Sequence, residues 1–191
     1  MMYNNKPTVK EIEMELNRVR VKSNFINIIL RKLLYISIVL YIVIITFTSF
    51  IGVVLVDGNS MSPTLDNGDV LLSFKTNNVG FGDIVTFEYD DKVLLKRVIG
   101  LEDEIIDMDS DYVYINGQVL NEPYILTKNT NHSINISLPH KINKDSYFLL
   151  GDNRTNSIDS RFEEIGDVLK YNITSKVVFR IWPFRSIGFV N

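Results

Sequence analysis

Between Leu33 and Val56 the chain runs for 24 residues without a charged side chain, and Ile, Val, Leu, Tyr and Phe dominate the stretch. As a helix rising 1.5 Å per residue it would be about 36 Å long, enough to cross a ~30 Å hydrocarbon layer with some tilt. A buried core helix rarely stays uncharged for that distance. A cleaved signal peptide has a shorter apolar region ending in small residues, whereas here 32 residues precede the run and Val53–Val56 contains no small residue. The reading is one uncleaved membrane span, with the β-branched tail Ile51–Val56 as the place where the chain turns to a first strand. Before the span stand seven basic residues (Lys6, Lys10, Arg18, Arg20, Lys22, Arg31, Lys32) against Glu11, Glu13 and Glu15, and Asp57 follows it. The positive-inside rule then predicts a single-pass cell-membrane protein with its N-terminus in the cytoplasm. Three parts result: a partly helical cytoplasmic arm (1–32), the anchor (33–56) and an extracytoplasmic β-rich domain (57–191).

In the arm, Thr8 followed by Glu11 has capping-box spacing, and Val9, Ile12, Leu16 and Val19 recur at helical intervals. A short amphipathic helix is expected, serving as a lead-in to the anchor or lying on lipid. Beyond the span the texture is β. Runs over 69–74, 83–89, 92–99, 104–108, 111–115, 146–150 and 173–181 are rich in Val, Ile, Tyr and Phe, and Asn67-Gly68, Asp90-Asp91 and Asn116-Gly117 are hairpin turn signals. The fold class is therefore mainly β, an antiparallel sheet domain carried on one helix. Residues 123–145 read as an exposed polar excursion, and Trp182-Pro183-Phe184 as bulky packing that closes the core.

Composition narrows the chemistry. The 191 residues carry 20 Lys+Arg against 23 Asp+Glu, a net charge of −3 that gives no basic surface for nucleic acid. The absence of cysteine excludes disulfide scaffolds, thiol nucleophiles, thiolate zinc sites and iron–sulfur clusters. With only His132 and His140 available, a histidine metal centre is not expected either. Catalysis, if present, uses Ser, Lys, Asp, Glu or Tyr.

Three segments hold such residues. The first, Gly58-Asn59-Ser60-Met61-Ser62-Pro63-Thr64-Leu65, follows the anchor and on its own reads as an ordinary Ser/Pro turn. In the second, Lys92–Ile99, strand alternation sets Lys96 between Leu94 and Val98 on one face. Lys96 is either an edge-strand lysine reaching to water or a buried amine whose pKa falls by up to 3–5 units and which can act as a base. Without a catalytic histidine, Ser plus Lys is the nucleophile–base pair open to this chain. The third, Gly151–Arg161, is dense in Asp, Asn, Ser and Arg, and read alone is a polar loop satisfying strand ends.

Together the segments resemble bacterial type I signal peptidases, in particular single-anchor members from Gram-positive bacteria. Ser60-Met61-Ser62-Pro63-Thr64-Leu65 is similar to the nucleophile box, Gly82–Phe87 to the next, Lys96-Arg97-Val98-Ile99-Gly100 to the lysine box and Gly151–Arg161 to the most distinctive one, in the family's order. The resemblance implies a membrane-anchored serine endopeptidase that removes signal peptides from exported preproteins after small residues at −3 and −1. It makes Ser60 the nucleophile, Lys96 the general base, Ser157 the group that orients the Lys96 amine, and Asp159–Arg161 and Asp152–Arg97 supporting ion pairs. Gly58 stands where some members place a serine of the oxyanion hole, so the Ser60 N–H with a second donor such as Asn59 is expected to build that hole. Val54, Val56, Leu71 and Leu95 are candidates for the pocket walls. No metal or cofactor is implied; the partners implied are preproteins, the lipid bilayer and, further, the export machinery. Two rivals are a self-cleaving Ser-Lys protein of the SOS-repressor type, which would carry a DNA-binding domain in place of the apolar run, and a non-enzymatic membrane-anchored β-domain. The Ser-x-x-Lys pattern of penicillin-binding proteins is absent.

Overall fold

A computed structural model describes residues 7–126 and 134–190. Residues 127–133 of the polar excursion, with Asn129, Asn131 and His132, lie outside the described residues. The chain divides into two units, Met1–Ser49 and Phe50–Asn191.

The described part of the first unit is dominated by one helix, α1 (Val9–Phe50), 42 residues long, with no buried residue, whose last residue, Phe50, already falls in the second unit. It opens on half of the expected capping box: the Thr8 N–H and hydroxyl donate to Glu11 Oε2 at 2.8 and 2.9 Å, while the Glu11 N–H donates to the Thr8 carbonyl at 3.1 Å and not to its hydroxyl. The amphipathic segment is thus continuous with the apolar run, and α1 is long and apolar enough to cross a membrane. Four of its hydroxyls are satisfied internally, since Ser37, Thr46, Thr48 and Ser49 donate to carbonyls three or four residues back. The helix stops at Phe50, short of the expected Val56. Ile51, Val53 and Val54 are β-branched and find a strand partner, so the last part of the run becomes β1.

The second unit contains β1 (Ile51–Leu55), β2 (Val70–Phe74), β3 (Ile84–Tyr89), β4 (Lys92–Gly100), β5 (Ile105–Met108), β6 (Val113–Ile115), β7 (Gln118–Val119), β8 (His140–Lys141), β9 (Ser146–Leu150), β10 (Val168–Leu169), β11 (Ile173–Trp182) and β12 (Gly188–Phe189). Every pairing is antiparallel. An eight-stranded sheet runs β1-β2-β11-β3-β4-β9-β10 with β12 beside β11, and a four-stranded sheet runs β7-β6-β5-β8. Two tight turns set register: Asp90-Asp91 (φ 48° and 57°) between β3 and β4, and Asn116-Gly117 (φ 52° and 79°) between β6 and β7, both with the paired positive φ of a type I′ hairpin.

The central strands β4 and β9 bury both faces. Val98 and Leu149 join one core with Val85 and Phe87, while Ile99, Phe148 and Leu150 join a second with Ile106 and Val113 of the smaller sheet. This double burial puts Lys96 in an interior strand between β3 and β9, not on an edge.

Two expectations change. The excursion is anchored, because Tyr124, Ile134, Ile136 and Leu138 pack half-buried against the second core; Ile134, Ile136 and Leu138 alternate with polar residues, a short strand-like period inside an otherwise polar stretch. Trp182 and Phe184 stack edge-to-face at 4.8 Å but stay 49% and 74% exposed. They pair with each other at the end of β11, and the core closes without them.

Candidate active site

Ser60 lies in the turn between β1 and β2. Gly58 enters this turn at φ +89°, a left-handed conformation that suits glycine, and its N–H donates to Asn67 Oδ1 at 3.0 Å. Met61 and Leu65, both fully buried, plug the core beneath Val56 and Leu71 and fix the turn on either side of the serine. Ser60 Oγ is thereby held 2.9 Å from Lys96 Nζ. The amine also donates to the Leu95 carbonyl at 3.0 Å and is 3% exposed. Burial lowers its pKa from 10.5 to about 8; Asp159 and Asp152 resist that fall and Arg161 assists it. The Ser60 N–H donates to no protein group among the described residues.

The loop after β9 closes over this pair. Asp159, fully buried, accepts from Arg161 Nε at 2.8 Å, Arg161 Nη2 at 2.9 Å and the Gly151 N–H at 3.0 Å. Asp152 accepts from Arg97 Nε at 2.9 Å and Nη2 at 2.7 Å, and Arg97 Nη1 donates to the Gly82 carbonyl at 2.9 Å. Both guanidinium–carboxylate pairs are bidentate and almost dry, which fixes orientation as well as charge. Thr64, which the sequence offers no reason to single out, donates its hydroxyl to Asp152 at 2.5 Å and so ties the Ser60 turn to the same loop.

Ser157 departs from expectation. Its buried Oγ has no hydrogen-bond partner, and the Leu95 carbonyl takes the place beside Lys96 that Ser157 was expected to fill. The serine packs instead against Gly151, where a Cβ would sit 2.2 Å from Ser157 Oγ and 2.6 Å from the Ser60 carbonyl oxygen. The serine hydroxyl could turn aside, but the Ser157 Cβ, also 2.6 Å away, and the Ser60 backbone could not. We expect Gly151→Ala to cost about 1–3 kcal/mol of stability by overpacking and to lower turnover at least tenfold, as read by thermal unfolding and steady-state cleavage. Parental turnover would show that the Ser60 turn has slack.

Two cavities meet at the Ser60–Lys96 pair. One, about 320 Å³, has walls from Val54, Val56, Thr86 and Leu95; the other, about 440 Å³, is bounded by Asn59, Ser157, Ile158 and Phe162. Leu71 lines neither: it points into the core below the turn, on the opposite side of β2 from the surface its neighbours offer.

Comparison with known proteins gives the family. Residues 29–182 match the family model for signal peptidase, peptidase S26. A signal peptidase I S of Bacillus subtilis (strain 168) is 35% identical over 147 residues, covering 71% of this chain and 79% of its own. A signal peptidase I P of Bacillus subtilis subsp. natto is 38% identical over 154 residues, covering 74% and 81%. A crystal structure of a signal peptidase I from Enterococcus faecalis V583 is 30% identical, with a TM-score of 0.44, and covers 53% of this chain and 97% of that one.

Proposed function

This chain belongs to the signal peptidase family, peptidase S26, and is a serine peptidase of signal peptides; from that premise we propose that Ser60 is its nucleophile and Lys96 its general base. The observation that carries the reading is a buried amine, depressed to about 8, lying 2.9 Å from a serine hydroxyl at the junction of two cavities. Family membership sets aside both the self-cleaving repressor and the non-enzymatic β-domain.

In the proposed reaction the Ser60 hydroxyl donates to neutral Lys96 Nζ, and Oγ attacks the scissile carbonyl as the proton moves to the amine. The free Ser60 N–H meets the oxyanion, with the Asn59 carboxamide as second donor; the Gly58 N–H is already committed to Asn67. The Lys96 ammonium then protonates the leaving amine, the acyl-enzyme forms, and Lys96 takes a proton from water to hydrolyse it. A neutral amine has one lone pair and two protons; the lone pair meets Ser60 and one proton meets the Leu95 carbonyl. The apolar 320 Å³ cavity takes the signal-peptide side, where Val54, Val56 and Leu95 would admit small residues at −1 and −3, and the larger cavity takes the mature side. We place the apolar part of α1, from residue 33 onward, in the membrane as the anchor, residues 1–32 in the cytoplasm and the β unit outside, by the charge asymmetry of the helix flanks.

The pH profile tests the base. With a pKa near 8, about one free enzyme molecule in ten is competent at pH 7, so kcat/KM rises close to tenfold per pH unit below 8 and levels above it. A profile flat from pH 6 to 9 would remove Lys96 from the role.

A further inference from the structure

The connector leaving the smaller sheet after β7 grips the loop that follows β9. Glu122 is nearly fully buried, and its carboxylate takes both ends of the Arg154 guanidinium: Nη1 donates to Oε2 at 2.9 Å and Nη2 to Oε1 at closer range. The Tyr124 hydroxyl donates to the same Oε1 at 2.7 Å, and its ring lies 4.0 Å beneath the Arg97 guanidinium. Each arginine in turn holds the loop. Arg154 Nε donates to the Gly151 carbonyl at 3.1 Å, and Arg97 holds Asp152. At its far end the excursion binds the loop again, through Asn135 and Ile136 N–H groups on the Arg161 carbonyl at 3.2 and 3.4 Å.

Between the two gripped residues and the nucleophile stands Asn153. Its backbone N–H donates to the Ser60 carbonyl at 3.0 Å, and its side-chain amide donates to the Asn59 carbonyl at 3.0 Å. The Asn59 carbonyl and the Ser60 N–H belong to one rigid peptide plane, so fixing the oxygen fixes the direction of the N–H. Both peptide planes flanking the nucleophile are therefore aimed by a residue whose own turn is clamped by Arg154 and Arg97. A buried ion pair is a poor device for stability alone, since apolar residues of similar volume do as well or better; its use is in directional placement.

We propose that Glu122 and Tyr124 are positioning residues for signal-peptide hydrolysis, a brace that acts through Arg154, Arg97 and Asn153 on the peptide plane carrying the Ser60 N–H. The brace works on the transition state, where the oxyanion needs that N–H in place, and leaves substrate binding alone. It rests on the Ser60 reading above, which has its own failure: cleavage surviving Ser60→Ala.

The test uses the full chain in detergent or lipid vesicles with a signal-peptide substrate. Glu122→Gln is expected to lower kcat about 10- to 100-fold with KM within about threefold, and Tyr124→Phe, which keeps the ring on Arg97, to lower kcat several-fold with KM unchanged. The double variant Glu122→Met with Arg154→Met removes the charges together; it is expected to regain the parental melting temperature without regaining kcat. Ser60-dependent activity at parental kcat in Tyr124→Phe, or in the double variant, overturns the brace while leaving the Ser60 reading intact. Tyr124→Phe is nearly isosteric, so it decides the matter even if Glu122→Gln does not fold.

Discussion

Lys96→Met yields a protein that no longer processes signal peptides and unfolds at a higher temperature than its parent. Turnover falls by on the order of 10⁴-fold or more, as it does for Ser60→Ala, because the proposed nucleophile and base act as one unit. The gain in stability has a separate cause. The amine is 3% exposed, and its pKa of about 8 lies below the ordinary 10.5, so the unfolded chain binds the extra proton between those values. Stability from this group rises with pH across that window, and the penalty of about 3 kcal/mol is complete below pH 8 and gone by 10.5. Met fills a similar volume without the charge. At pH 7 the variant should melt higher by up to roughly 10 °C, and the gap should close as the pH approaches 10.5. Equal melting points at pH 7 would mean that the ammonium is solvated in the folded protein, and normal processing would remove Lys96 from the mechanism.

Asp159→Ala should be among the most damaging substitutions in the β unit. It leaves the fully buried Arg161 guanidinium and the Gly151 N–H without their carboxylate, a loss of about 3–5 kcal/mol for breaking one side of a buried pair. Against a typical total of about 5–15 kcal/mol that is about a fifth of the stability or more, visible as a large drop in the denaturant midpoint. Asp159→Asn keeps an acceptor for Gly151 but not the charge. Since the Asp159 carboxylate holds the Lys96 pKa up and Arg161 pulls it down, the acid limb of kcat/KM should move below pH 8 in this variant. An upward move would mean that water had reached the amine.

How much of this was written in the sequence differs from one residue to the next. Asp90-Asp91 and Asn116-Gly117 announced their hairpins because paired positive φ is expensive for other side chains. The runs that became β4 and β9 were visible as strands, but nothing local says that both faces are covered; that comes from a second sheet packing on the first. Lys96 could be singled out, yet its depressed pKa depends on β4 being interior, a property of strand order. The Leu71 miss is of the same kind, since alternation tells which residues share a face and not which face meets the cavity. Ser157 was expected on the amine and packs on Gly151 because the loop approaches too closely for a Cβ there. Glu122 and Tyr124 gave no signal at all. Arg154, the partner of Glu122, lies 32 positions away, and Arg97, over the Tyr124 ring, lies 27 positions away; only the folded chain brings them together.

The order of strands has a bearing on the protein's own synthesis. β11, the last long strand to leave the ribosome, lies between β2 and β3 and is their shared neighbour. Until residues 173–182 emerge, the half that carries Ser60 and the half that carries Lys96 have no common seam to zip along. The large sheet is thus completed only once the C-terminal part of the chain has been made, and its two halves meet through a strand that arrives last.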